Sequence, residues 1–436
     1  MAYEKGLLFE DKIQKALKAQ FCYADADPEH GKRLFFENSG GSLRLRRCVE
    51  AKADTEAYPD CPERYHARSL YLKGMVNEGT RQMMEIMFNA DPGDGALMTE
   101  LSASQTMFQM VGLIMTNAGW GTNAVVSELE HPSAYDSIEY YCEKTGREMR
   151  VAHINKETGR IDPEEIRRLV DKDTVLLSVM SASNICGVVM DMEGIVKAAR
   201  EINPAIYIVS DAVQHAPHMA MDVKTLGIDG MNFAPYKFFG VRGCGYAYVS
   251  ERVAHMSHHK LLAKDQKVFE LGTPSPGNFA SMLAIIDYVC EIGAHFTDSE
   301  DRKEQYHVGM ERIHLQERAL LVRLLEGTEG VPGLRHIPGV QLFMDPDYFE
   351  DRDLIACYLI DGIEAAKLVE EYQALGVTVC ERAADSLYSK RIVKAIGADK
   401  GVIRVSPLHC HGTDDVDEFL KTTAEIAKKA AEGQYK

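Results

Sequence analysis

The sequence predicts an α/β protein in two parts: a large unit on a mostly parallel sheet and a smaller α/β unit at the C-terminal end. Three observations carry this. The chain has 436 residues, more than one simple core of about 100–200 residues holds. Its middle alternates short apolar runs with segments of helical spacing, the pattern of a parallel sheet flanked by helices. Past residue 300 a second, smaller alternation begins.

In order along the chain, PEEIRRLV (163–170) has helical spacing, and Pro163 suits a first turn. TVLLSVMS (174–181) is a short apolar run rich in strand formers. MEGIVKAAREI (192–202) is helical, AIYIVSD (205–211) is a second buried strand, and YAYVS (246–250) alternates as a strand after a glycine-rich turn. Beyond the charged stretch TDSEDRKEQ come strand-like VQLFM (340–344), the helix IEAAKLVEEYQALG (363–376) and the strand VTVC (377–380). The closing segment DDVDEFLKTTAEIAKKAAEG (414–433) is an amphipathic helix, with Asp414 and Asp415 suited to the positive end of its dipole.

Composition narrows the class. Hydrophobic residues at 45% and charged residues at 26% are ordinary for a globular protein. A net charge of −17 repels phosphate backbones and anionic lipid, so neither nucleic acid nor a membrane surface is expected as a partner. MAYEKGLLFEDK is not a basic region followed by an apolar stretch, and no run approaches the roughly 18 apolar residues of a membrane span. The expectation is a soluble, cytoplasmic protein. Ten cysteines without a CxxC pair read as free thiols. The HCH run at 409–411 has no partners at ligand spacing, so no metal is expected.

Buried parallel strands present functional groups at their C-terminal ends. Asn184 follows one predicted strand and Asp211 ends another; Lys237 comes 26 positions after Asp211, just before the glycine-rich turn of NFAPYKFFGVRGCG (232–245). Pyridoxal 5′-phosphate (PLP) chemistry needs this pair: a lysine to form the imine and then move protons, and an acid to keep the pyridine nitrogen protonated. Each residue alone has an ordinary reading, a solvated loop lysine and a turn or cap aspartate.

Six segments in order strengthen the case: LFFENSGGSL (34–43), ELEHPSA (128–134), SASNICGVVMDMEGI (181–195), DAVQHAPHMAMDVKTLGIDG (211–230), FELGTPSPGNFA (269–280) and GVIRVSPLHCHGTDDVDEFL (401–420). Together they resemble the class V aminotransferase family, which includes cysteine desulfurases and selenocysteine lyases. The resemblance implies the PLP-dependent transferase (aspartate aminotransferase-like) fold, with a large domain over 36–300 and a small domain from 1–35 and 301–436. It implies that Lys237 holds PLP as a Schiff base and that Asp211 pairs with the pyridinium. Gln214 and Asn184 then lie near the phenolic oxygen, and His131 stacks on the ring. Arg404 clamps the substrate α-carboxylate, a task suited to a planar bidentate donor. Ser104 and Gln105 fall where the family opens a helix on the PLP phosphate. Thr273 matches a phosphate contact donated by the partner subunit, which implies a homodimer with shared active sites. The ordinary alternatives are a loop histidine at 131, turn or cap roles for Asn184 and Gln214, and a surface ion pair for Arg404.

The sequence also departs from the family. Tyr236 precedes the lysine where histidine is common, and Ala234 stands where a phosphate-binding serine is common. Tyr236 offers a hydroxyl to the cofactor or a ring for packing. Asp385 falls at the place of the desulfurases' mobile cysteine, Cys380 lies too early and on a strand, and Cys410 is the second candidate. The leading functional expectation is a PLP-dependent C–S or C–Se lyase acting on a small α-amino acid by β-elimination. A class V aminotransferase or epimerase is the alternative on the same scaffold. A non-catalytic PLP-fold binding protein is the third reading.

Overall fold

The computed structural model describes residues 3–59 and 65–435. After a short strand β1 (Leu34–Phe35), the chain builds its main sheet from β2 (Ala96–Glu100), β3 (Asn123–Ser127), β4 (Glu148–Ala152), β5 (Thr174–Ser178), β6 (Tyr207–Asp211), β7 (Gly230–Phe233) and β8 (Gly245–Val249). The spatial order is β2-β8-β7-β6-β5-β3-β4. Strands β4, β3, β5, β6 and β7 are mutually parallel, while β8 runs antiparallel to both β7 and β2. NAVVS and TVLLS are buried along their whole length, as required of strands covered by helices on both faces. The apolar run 174–181 leaves the regular ladder after Ser178, but Val179 and Ser181 still donate to the Val209 and Asp211 carbonyls. That extension carries the chain past the sheet edge and into the site.

The second sheet contains β9 (Val340–Leu342), β10 (Ala356–Ile360), β12 (Cys380–Arg382) and β13 (Val402–Val405), in the antiparallel order β9-β10-β13-β12; the intervening strand β11 (Val377–Thr378) pairs instead with β1, in parallel. Two expected strands therefore differ. VQLFM stops at Leu342 because Met344 adopts φ 48°, a left-handed conformation that ends an extended run. VTVC divides at Val379, its first half serving the N-terminal segment and its second the four-stranded sheet.

The helix Arg302–Glu326 links the apolar regions. Its Tyr306, Met310 and Ile313 enter the core around the main sheet, and Leu320, Leu321, Leu324 and Leu325 enter the core of the second. It packs closely on the helix Pro276–Ala294 because two glycines remove side chains at the crossing. A Cβ on Gly293 would meet the Gln305 carbonyl oxygen at 1.8 Å, and one on Gly309 the Val289 oxygen at 2.1 Å. Gly293→Val should therefore destabilise the protein by about 3 kcal/mol, the upper end of overpacking costs. Urea unfolding measures this, and a loss below about 1 kcal/mol would contradict the packing account.

Among the described residues, no helix is long and apolar enough to cross a membrane. Nine cysteines are free thiols; Cys61 lies outside the described residues. No group of three or more His, Cys, Asp or Glu side chains among the described residues is arranged to hold a metal. In the HCH run, His409 Nε2 meets the Tyr288 hydroxyl at 2.8 Å, and His411 Nδ1 accepts from Leu408 N–H at 2.9 Å.

Candidate active site

The C-terminal ends of β3, β5, β6 and β7 converge on a cavity of about 170 Å³. Asp211 ends β6, and Pro235–Lys237 form a single 3₁₀ turn just after β7. Pro235 presets that turn, which carries the Lys237 side chain into the cavity at 9% exposure. Burial pushes the Lys237 amine down to about 8; the charge of Arg404 adds to this and that of Asp211 opposes it. Asp211 is itself buried, which pushes its carboxyl upward against the pull of a 3.0 Å bond from Val213 N–H and of Lys237.

Asn184 lies in the turn SNICG, where Ser183 Oγ accepts from the N–H groups of Ile185 and Cys186. Gly187 closes the turn at φ 74°, where an added Cβ would strike the Asp353 carbonyl oxygen at 2.7 Å. Asn184 and Gln214 both line the cavity, and Asn184 Oδ1 and Gln214 Oε1 are buried with no hydrogen-bond partner among the described residues. Buried polar atoms are rarely left so, and two that flank one cavity point to a polar ligand.

His131 caps the helix Pro132–Thr145, its Nδ1 accepting from Ser133 N–H at 3.2 Å. Burial, followed by the charges of Lys237, Arg382 and Arg391, pushes its imidazole down to about 3. It is therefore neutral, with its proton on Nε2. The Tyr388 ring lies 6.3 Å from it at an interplanar angle of 28°.

Ser102 caps the helix Ala103–Asn117 by accepting from Gln105 N–H at 3.3 Å. Ser102 and Ser104 line the cavity, but the exposed Gln105 does not; its Oε1 instead accepts from the Ser102 hydroxyl at 3.2 Å. Tyr236 lines the cavity, with the Arg242 guanidinium 4.0 Å above its ring. Thr273 is exposed and outside this chain's cavity.

Arg404, 1% exposed on β13, does not itself line the cavity, nor does Arg382, and Arg404 is already engaged. Its Nε donates to Glu37 Oε2 at 3.3 Å, its Nη2 contacts Glu37 Oε1, and its Nη1 donates to the Asn184 carbonyl at 2.8 Å. Cys380 is its cross-strand partner, so Cys380 and Arg382, two positions on, share the sheet face of Arg404. Arg382 forms no salt bridge among the described residues, and its Nε is buried without a partner. Burial pushes both the Cys380 and Cys410 thiols upward, and neither lines the cavity. Asp385 is exposed.

Sequence reasoning assigned no part to Glu37, Arg382 or Glu130. Glu130 is fully buried, and its Oε1 accepts from Met180 N–H at 2.5 Å. Burial and the charge of Asp211 push its carboxyl up to about 8. Its position beside His131 was the available signal, as was an acid next to Asn38 in a glycine-rich loop for Glu37.

Residues 65–419 match the sequence profile of the family described as aminotransferase class V. The chain belongs to the class V aminotransferase family. This class V aminotransferase is 26% identical over 364 residues to a probable cysteine desulfurase of Streptomyces coelicolor, covering 76% of this chain and 79% of that protein. It is 28% identical over 296 residues to a probable cysteine desulfurase of Borreliella burgdorferi, covering 62% of this chain and 68% of the relative. Its fold is similar to that of the apo cysteine desulfurase of Thermococcus onnurineus NA1, with a TM-score of 0.75 at 20% identity over 91% of this chain and 95% of the other. The cysteine desulfurase CsdA of Escherichia coli aligns with a TM-score of 0.77 at 17% identity, over 98% and 99% of the two chains.

The class V aminotransferase is a PLP-dependent enzyme, and its cavity fits that cofactor. It offers a buried amine, a buried carboxyl, two amides, and the capped start of a 15-residue helix for the phosphate. One consequence is kinetic. A lysine at about 8 is largely neutral above that pH, and only the neutral amine adds to an aldehyde. Capture of PLP by the apo-enzyme, followed by absorbance, should speed up as pH rises to about 8 and then level off. A rate still climbing tenfold per unit at pH 9–10 would mark an ordinary lysine near 10.4.

Proposed function

We propose that this enzyme cleaves the C–S or C–Se bond of a small, cysteine-like α-amino acid by β-elimination. The observation that carries the reading is Lys237, buried in the cavity with its proton affinity lowered, and sharing that cavity with Asp211 and the amides of Asn184 and Gln214. The similarity to proteins named cysteine desulfurases supports the choice of substrate.

In this reading Asp211 pairs with the cofactor's pyridine nitrogen, Gln214 and Asn184 face its phenolic oxygen, and His131 stacks on its ring. Ser104, the helix start at Ser102 and the Tyr236 hydroxyl hold the phosphate, with Thr273 reaching in from the partner subunit. Bound PLP supplies an electron-poor ring that stores the charge left when the α-proton departs. Lys237 Nζ accepts that proton, and the low proton affinity of the buried amine keeps it available as a base near neutral pH. Arg404 and Arg382 together hold the substrate carboxylate: Arg404 and Glu37 cancel each other's charge, and Arg382 supplies the net positive charge that one carboxylate needs. Arg382→Ala should therefore raise KM about tenfold or more, the loss of one charge-assisted bond, with little effect on kcat; an unchanged KM would remove Arg382 from the site.

The raised thiols of Cys380 and Cys410 favour elimination over transfer of sulfur to an enzyme cysteine. The homodimer reading is supported by exposed Leu261, Leu262 and Leu271, close in sequence to Thr273. The cytoplasmic reading is supported by nine unpaired thiols. The division into 36–300 and 1–35 with 301–436 is supported by the two sheets, with the helix Arg302–Glu326 serving both cores.

The test is incubation of the PLP-loaded enzyme with cysteine, with and without a keto acid. Pyruvate and sulfide released without the keto acid are expected. A strict keto-acid requirement would replace elimination by transamination, and no spectral response to any amino acid would overturn the enzyme reading.

A further inference from the structure

Next to Gln214, among residues that do not line the cavity, lies a buried row of polar groups that the proposed chemistry leaves unused. Gln214 Nε2 is 3.4 Å from His218 Nε2, and His218 Nδ1 is 2.7 Å from Glu317 Oε2. Glu317 Oε1 accepts from His409 N–H at 3.0 Å, and His409 Nε2 meets the Tyr288 hydroxyl at 2.8 Å. Gln214, His218 and Glu317 are 4%, 2% and 2% exposed, so water does not compete for these bonds.

A carboxylate so buried is tolerated only when paired. Burial disfavours the charged forms of both Glu317 and His218, but their mutual attraction prevails, holding Glu317 at about 2 and His218 at about 9. Asp353 also favours the charge on His218, and Lys237 opposes it. His409, on the other side of Glu317, is pushed down by burial. His218 is therefore an imidazolium at neutral pH, with a proton on each nitrogen.

That proton assignment decides which end of the Gln214 amide meets His218. A charged His218 has only donors, so its Nε2–H requires the amide oxygen. A neutral His218 with its proton directed to Glu317 presents a lone pair at Nε2 and requires the amide N–H. The two ends of the amide differ only in their hydrogen bonding. With His218 charged, a half-turn of the amide gives the orphaned Oε1 a donor and replaces a donor-to-donor contact.

We propose that Glu317 and His218 are positioning residues that turn the Gln214 N–H₂ into the cavity, as a donor to an anionic oxygen of the bound cofactor. This rests on the reading that Gln214 faces that oxygen. The pair sets the polarity of the site: a donor there favours the deprotonated oxygen, and an acceptor would repel it.

The readout is the pH midpoint at which the visible band of the PLP-loaded enzyme shifts. Gln214→Leu should move it upward by about one pH unit or more, the worth of a hydrogen bond to a charged group. If it does not, Gln214 does not face the cofactor oxygen, and the underlying reading fails. Given that shift, Glu317→Gln should move the midpoint in the same direction, the double variant should add nothing further, and Glu317→Asp should restore most of the wild-type value. A PLP-loaded Glu317→Gln enzyme with the wild-type midpoint would overturn the relay. A measurement that needs no core substitution is the nitrogen NMR of His218 in the wild-type enzyme at pH 7. Two protonated ring nitrogens are expected, and a neutral tautomer overturns the proposal even if Glu317→Gln fails to fold.

Discussion

Replacing Lys237 with alanine is expected to eliminate the visible band of the lysine-linked cofactor and to lower kcat by about 10⁴-fold or more, the upper range for loss of a positioned acid–base group. Among the described residues Lys237 is the only lysine lining the cavity, so no second amine there can accept the proton. The variant should remain folded, because removing a buried cation relieves a desolvation cost even as it leaves Asp211 without its counter-charge. PLP added to this variant should still bind through its phosphate and ring, but reversibly, and be removed by gel filtration. Small primary amines should restore a fraction of the activity by occupying the space left by the side chain. Turnover within tenfold of wild type would mean that proton transfer has been assigned to the wrong group.

The second large effect concerns stability. Arg404→Met should cost about 3–5 kcal/mol in urea unfolding, because it strands the Glu37 carboxylate and the Asn184 carbonyl without their donor. Glu37 is only partly shielded, with its side chain 14% exposed, which places the expected value toward the lower end. Pairing Arg404→Met with Glu37→Gln should recover part of the loss, since the stranded charge and not the missing contact dominates it. An Arg404→Met protein as stable as wild type would show that water or a rearranged loop takes over Glu37. The same substitution should also weaken substrate binding, so stability and KM need to be measured on the same preparations.

Much of the fold was legible because its signals are local. TVLLS and YIVSD are apolar runs of strand length, and Pro163 marks a helix start without reference to anything distant. Lys237 and Asp211 were legible as a pair because each follows or ends a strand of one parallel sheet, which brings their ends together. What could not be read was whatever depends on a partner far along the chain. Glu37 meets Arg404 across 367 positions, and His218 meets Glu317 across 99. Nothing near either acid in sequence announces its partner. The division of VTVC between two sheets was hidden for the same reason, since it depends on β1 arriving beside it from the other end of the chain.

That pairing of Leu34–Phe35 with Val377–Thr378 also bears on how the protein is made. Leu34–Phe35 leaves the ribosome before its partner strand, which follows about 340 residues later; at about 5–20 residues per second that is tens of seconds. Throughout that interval LFF (34–36), whose Phe36 ends fully buried, lacks the strand it pairs with. Completion of the second core, and with it the seat of Arg404 beside Glu37, waits until the strand Val402–Val405 and the helix after it have been made. The nascent chain thus has a defined period in which a chaperone that grips short apolar segments would find one waiting.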